Sequence, residues 1–250
     1  MSFSPPNIKS EDIDLSKFSI ENLQKMRETF PGYKDEDFAR FLIARNNDFE
    51  LAREMYHAHL LWREANPKPT KESCLTLLQR RFLFVHGHDL EGHPLLIAKM
   101  CRHDPYDRDL EEMNRQLLWW LDHIFAAMPE NKTKYTVFID RTGATAANQD
   151  MELCKSFAAM FQNNFPERLY RVIIYPSGLV FYGMWNIVQW FLDPVTRQKV
   201  CPVMTQAGVL QYIDPAFVPH EVGGTSTYDP NIDELQDAPA FIHYEPETRK

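Results

Sequence analysis

Between Arg171 and Asp193 the chain carries no charged side chain, and the run reads VIIYPSGLVFYGMWNIVQWFL. A bilayer core needs about 20 consecutive apolar residues, so the length alone would allow a crossing. Pro176, Ser177 and Gly178 divide the run, however, into a short β-rich piece (172–175) and a separate helical piece (179–192). Neither piece is long enough to span on its own. The helical piece is apolar nearly all round, with Asn186 and Gln189 its clearly polar members. Such a helix must lie in a core, against membrane, or against a bound apolar ligand. Any fold for this chain has to supply one of those surroundings.

The hydrophobic fraction of 44% supplies a full core, enough to hold a pocket open without disulfide staples. The formal charge of −8 argues against nucleic acid as a partner, because phosphate backbones require a basic face. It also argues against attachment to anionic lipid by bulk charge. Cys74, Cys101, Cys154 and Cys201 are widely spaced with no Cys-x-x-Cys pair, the pattern of reduced thiols in a cytosolic protein. The opening MSFSPPNIKSEDIDLS has no basic-then-apolar signal pattern, and Ser2 stands where N-myristoylation requires glycine. A cytoplasmic location is expected.

Residues 1–17 read as a flexible lead, followed by a helical subdomain over 18–66. Ser19 caps a helix carrying Leu23 and Met26, Asp35 opens a second with Phe38, Phe41 and Leu42 on one face, and Asp48 caps a third with Leu51, Met55, Ala58 and Trp62 as its stripe. Asn66-Pro67-Lys68-Pro69 is the clearest linker. A main lobe is expected over 73–228. Its apolar runs 82–85 and 95–98 flank a hairpin-like turn, a long amphipathic helix runs from Leu110 to Met128, and 135–139 reads as a buried strand. A helix over 151–163, the strand 172–175, the apolar helix, a helix after Asp193-Pro194 and the run 200–204 complete the series. Strands alternating with helices indicate an α/β domain with a largely parallel sheet. The stretch 229–250 reads as an irregular tail over the surface.

Catalytic signatures are weak. Gly-x-Gly-x-x-Gly and P-loop patterns are absent, and Pro176-Ser177-Gly178 lacks the first glycine of a nucleophile elbow. His86, His88 and His93 straddle a turn and read as solvated turn histidines rather than convergent metal ligands. Asp140-Arg141-Thr142-Gly143 ends a strand; it is either a turn and cap or part of the strand-end crevice where open α/β sheets bind ligands. No catalytic residue and no metal ligand is assigned.

Several long stretches, in order, resemble one family. RFLIARNNDFELAREMYHAHLLWRE resembles the N-terminal helical subdomain of Sec14-like, or CRAL-TRIO, lipid-binding proteins. YTVFIDRTG, FPERLYRVIIYPSGLVFYGMWNIVQWFLDPVTRQKV and VPHEVGG resemble successive parts of their lipid-binding lobe. The resemblance implies a mostly parallel sheet flooring an apolar pocket, closed by a movable gate helix at 179–192. It implies a phospholipid as cargo with no cofactor, and transient contact with a membrane surface. In the phosphatidylinositol-binding branch the headgroup contacts match Arg45, Glu167, Thr196 and Lys199 here. Arg45 and Lys199 would pair with phosphate oxygens, Thr196 would donate to them, and Glu167 would accept from inositol hydroxyls. Asn46 stands where that branch can carry a second basic residue, and Phe165 where a choline-lipid binder can carry Tyr. The apolar wall and gate are expected to include Phe138, Phe157, Phe161, Phe165, Tyr175, Phe181, Tyr182, Trp185, Val188 and Phe191. Competing readings are a carrier of a retinoid- or tocopherol-like hydrophobe, a scaffold or GTPase-regulating module, and, least supported, a hydrolase-like enzyme.

Overall fold

The computed structural model describes residues 4–238. Three helices come first: α1 (Ile20–Thr29), α2 (Asp35–Ala44) and α3 (Phe49–Ala65). The side chains of Ser19 and Asp48 accept the backbone N–H groups of Asn22 and Leu51, satisfying first-turn donors that have no partner within the helix. Arg45 ends α2, and Asn46 and Asn47 follow in the left-handed region at φ 52° and 62°, which asparagine tolerates better than most residues. Leu23, Met26, Phe38, Phe41, Leu42 and Tyr56 pack as a separate apolar cluster among these helices. Asn66 caps α3, so the helix ends where the proline-rich linker begins.

The rest of the chain is α/β. The short helix α4 (Leu75–Gln79) leads into β1 (Leu83–His88) and β2 (Pro94–Lys99), followed by α5 (Leu110–Ala126), β3 (Tyr135–Asp140), α6 (Met151–Asn164) and β4 (Leu169–Tyr175). Then come α7 (Leu179–Val188), α8 (Pro194–Gln198), β5 (Val200–Pro202) and α9 (Gln206–Val209). The sheet order is β1-β2-β3-β4-β5, with β1 antiparallel to β2 and the remaining pairs parallel. Strand order never reverses. Right-handed crossovers that advance in one direction place their helices on one face of the sheet, so α5, α6 and α7 share that face. Without a reversal there is no switch-point crevice at the strand ends. The Asp140 carboxylate accordingly serves a turn, accepting the Thr142 N–H at 2.9 Å. Among the described residues no helix is long and apolar enough to cross a membrane.

Two expectations are corrected. The lead is not loose between residues 4 and 17: Asp12 accepts the N–H groups of Thr133 (2.7 Å) and Lys134 (3.0 Å), and Arg27 donates to the carbonyls of Ser4 and Pro5. His93 is not a solvated turn residue. It is 1% exposed, stacked on Tyr170 at 3.7 Å and held between Asp12 (3.1 Å) and Asp89 (3.2 Å). Burial disfavours its charged form, but the two carboxylates outweigh burial and raise its pKa. Burial likewise opposes the Asp12 charge, yet the His93 ring and the two amides hold that carboxyl at about 2. His86 also has partners, Ser226 at 2.9 Å and the face of Tyr228 at 4.2 Å. Among the described residues no group of His, Cys, Asp and Glu is arranged to hold a metal ion. The tail docks as far as it is described, with Ile232 buried and Asp237 accepting the Trp119 indole N–H at 2.7 Å. Residues 239–250 lie outside the described residues.

Candidate functional site: an apolar cavity with a charged end

Between the sheet and its helices lies a cavity of about 650 Å³. That volume is within the roughly 300–1,000 Å³ range of ligand pockets. Strand alternation and register build its floor. Leu96, Val137, Val172 and Val200 align in one row across four strands, and Ala98, Ile139 and Ile174 in the next. All of these line the cavity, because residues two apart on a strand share a face. The helices close it with Leu117 of α5, Leu153, Phe157 and Phe161 of α6, and Phe181, Met184, Trp185 and Val188 of α7. Burial pushes the thiol of Cys154, also on the wall, up to about 11, so it is a neutral apolar surface.

Of the expected wall residues, Phe157, Phe161, Phe165, Phe181, Trp185 and Val188 line the cavity. Phe138 and Tyr175 do not. Each is one residue out of phase with the floor rows, and Phe138 is fully buried in the surrounding core. Tyr182 and Phe191 are 45% and 41% exposed on the outer side. The α-helical part of the apolar segment ends at Val188 and continues as a 3-10 turn, Gln189–Phe191. Its inward residues recur at helical spacing, while Leu179 (92% exposed), Ile187 (52%) and Trp190 (76%) face outward. Ser177 fixes the start of the segment: its hydroxyl donates to the Ile174 carbonyl at 2.6 Å and accepts the Val203 N–H at 3.0 Å. The end is held by Gln162, which donates to the Phe191 carbonyl at 2.9 Å, and by Lys155 over the Phe191 ring at 4.7 Å.

Arg45, Glu167, Thr196 and Lys199 are all among the residues lining the same cavity. They come from the C-terminal cap of α2, the turn before β4, α8 and the residue before β5. Glu167 and Lys199 therefore stand at the N-terminal ends of parallel strands, away from Asp140. The Phe-Pro-Glu-Arg turn that carries Glu167 is buttressed by the N-terminal helices. Phe165 packs against Trp62 at 5.9 Å and His59 at 6.4 Å, and Arg40 donates to the Pro166 carbonyl. Glu167 sits at φ 56°, a strained backbone for a residue of this kind. Its carboxylate takes no hydrogen bond from the described residues, and its one ion pair there is with Lys134 at 4.0 Å. Lys199 makes no ion pair with them. Burial lowers its pKa, and the negative charge of Glu167 works against that shift. Arg45 donates to its neighbour's carbonyl at 3.1 Å and likewise has no ion pair among the described residues. Thr196 differs: its hydroxyl donates to Asp193 at 2.6 Å, and its N–H is capped by the same carboxylate. In this arrangement Thr196 shapes the helix start, and its hydroxyl proton is engaged. Lys134 and Gln162 were not identifiable from sequence, since neither belongs to a motif and both are placed by register and packing.

Residues 78–224 match the family model described as the CRAL/TRIO domain. The phosphatidylinositol transfer protein CSR1 of Eremothecium gossypii is 26% identical over 211 residues, covering 79% of this chain and 48% of that protein. A CRAL-TRIO domain-containing protein of Schizosaccharomyces pombe is 28% identical over 204 residues, covering 76% of this chain and 57% of its own length. The chain thus spans about half the length of these curated relatives. The crystal structure of Sfh5 superposes with a TM-score of 0.66 at 18% identity, covering 95% of this chain and 86% of that one.

Proposed function

Because the chain belongs to the CRAL/TRIO domain family, we propose that it is a lipid carrier: it takes one phospholipid with an inositol headgroup into the cavity and passes it between membranes, with α7 as the movable cover. The observation that carries this reading is an apolar cavity whose lining includes two cations and a carboxylate acceptor. Arg45 and Lys199 suit a phosphodiester, and Glu167 suits the hydroxyls of a polyol. A related protein named as a phosphatidylinositol transfer protein supports the same ligand class.

The energetics require such a wall. Each methylene removed from hydrocarbon into water costs about 0.8 kcal/mol, so a lipid with roughly 30 methylenes faces on the order of 25 kcal/mol. A carrier has to replace most of that by contact, which aliphatic floor rows and aromatic helix faces can provide. The outward face of α7 and the turn after it, with Leu179, Ile187 and Trp190 exposed, suits contact with a membrane surface during loading.

Mass spectrometry of solvent extracts from the purified protein, with transfer assays between vesicles, tests this. Phosphatidylinositol should be the main extracted lipid. The double variant Lys199→Ala with Glu167→Ala should lose phosphatidylinositol transfer while keeping its thermal midpoint. An extract dominated by an uncharged hydrophobe, or unchanged transfer by the double variant, would overturn the headgroup assignment.

A further inference from the structure

We propose that Lys134, which is not among the residues lining the cavity, is a positioning residue for the headgroup: its ammonium, 4.0 Å from the Glu167 carboxylate, keeps that carboxylate from closing onto Lys199 and so leaves both groups open to the lipid. This rests on the reading of the charged end as an inositol-lipid site.

The sheet creates the juxtaposition. Tyr135 of β3 registers with Leu169 of β4, and the Tyr135 N–H donates to the Arg168 carbonyl at 2.9 Å. Lys134, just before β3, and Glu167, two residues before β4, are thereby brought side by side. Their side chains are only 18% and 21% exposed, so the attraction is less screened than at an open surface. Lys134 is itself held at the backbone, where its N–H donates to Asp12 at 3.0 Å. Asp12 is in turn held by His93. The strained turn fixes the Glu167 backbone, and Lys134 draws its carboxylate from the side.

Two cations therefore compete for one carboxylate. Lys199 lies on the cavity wall, and the electrostatics of its ammonium are set by burial, then by Glu167, with Lys134 opposing. Remove the Lys134 charge, and Lys199 becomes the cation left to Glu167. An internal Glu167–Lys199 pair would consume the acceptor needed by ring hydroxyls and the donor needed by the phosphate. Inositol lipid would lose both contacts. Phosphatidylcholine offers no headgroup hydroxyls to Glu167 and would lose less. Lys134 is thus assigned to selectivity between headgroups rather than to capacity for lipid.

The test loads the full chain from vesicles of phosphatidylcholine and phosphatidylinositol and measures the ratio of bound lipids by mass spectrometry. Lys134→Gln should lower the inositol-to-choline ratio roughly tenfold, the lower end of what one charged hydrogen bond contributes. Total bound lipid and thermal midpoint should stay unchanged, and Lys134→Arg should restore the ratio. An unchanged ratio in Lys134→Gln while Glu167→Ala collapses it would overturn the role of Lys134 and leave the headgroup site standing. Ratios unchanged in both variants would overturn the headgroup reading together with this one. Equal loss of both lipids with a lowered midpoint would show a purely structural lysine and overturn the proposal.

Discussion

Helices α5 and α7 are both rich in apolar side chains, and they are used in opposite ways. In α5, Trp119, Leu121 and Ile124 are almost completely buried against strands, the short helix before β1, and the tail. In α7, Phe181 is buried, yet Leu179 and Ile187 on the outer side are more than half exposed, as is Trp190 in the turn that follows. Its inner side faces a cavity rather than packed protein. The apolar surface of α5 stabilises the fold by leaving water. Much of the apolar surface of α7 gains no such burial here, and exposed clusters of this kind mark contact with another apolar phase. Hydrophobicity in a sequence thus reports two different roles, and the difference is decided by what stands opposite.

The sharpest way to break this contrast is to empty a core position in α5. Ile124→Ala should lower stability by about 2–5 kcal/mol, read from denaturant midpoints. Trp190→Ala, at the outer end of the apolar segment, should change stability by no more than about 0.5 kcal/mol while slowing vesicle-to-vesicle transfer severalfold. Equal destabilisation by both would erase the distinction. Val188→Asp, on the inner side of α7, should reduce transfer more than stability, whereas a core residue would lose both together.

A smaller effect contrasts apolar burial with electrostatic anchoring. Asp12 is held at about 2, below the usual carboxylate value, so its contribution is present above that usual value and is lost as pH falls toward 2. His93 is raised, so its contribution is full below its usual value of 6.5 and disappears as pH climbs through the higher folded value. Both operate together between roughly pH 4 and 6.5. Asp12→Asn should remove about 2 kcal/mol in that window and flatten both limbs of the pH–stability curve, whereas Ile124→Ala should leave the shape unchanged. The smallest effect concerns Cys154. With its thiol at about 11, alkylation at neutral pH should be slow and slower still in lipid-loaded protein, while exposed Cys101 should react alike in both states.

Much of this was legible in the chain. Helical periodicity and capping residues located α1, α3 and α5, and the uncharged run with its Pro-Ser-Gly break marked the segment that borders the cavity. Arg45, Glu167 and Lys199 were picked out through family resemblance, and all three line one cavity. Phe138 and Tyr175 were misjudged because an apolar strand buried on both faces has no polar residues to reveal its parity. The lead seemed free because the anchors of Asp12, namely Thr133, Lys134 and His93, are more than 80 residues away in sequence.

The amino-acid order by itself determined which segments are helical or extended and that residues 179–192 have no polar face, since both follow from spacing and side-chain type along a local stretch. Tertiary structure alone decided which strand face became the cavity floor, that Glu167 and Lys199 stand at the N-terminal ends of neighbouring parallel strands, and that Lys134 stands beside Glu167. Those outcomes depend on strand register and on which side the crossovers fall, and both are set by pairings between segments far apart in the chain.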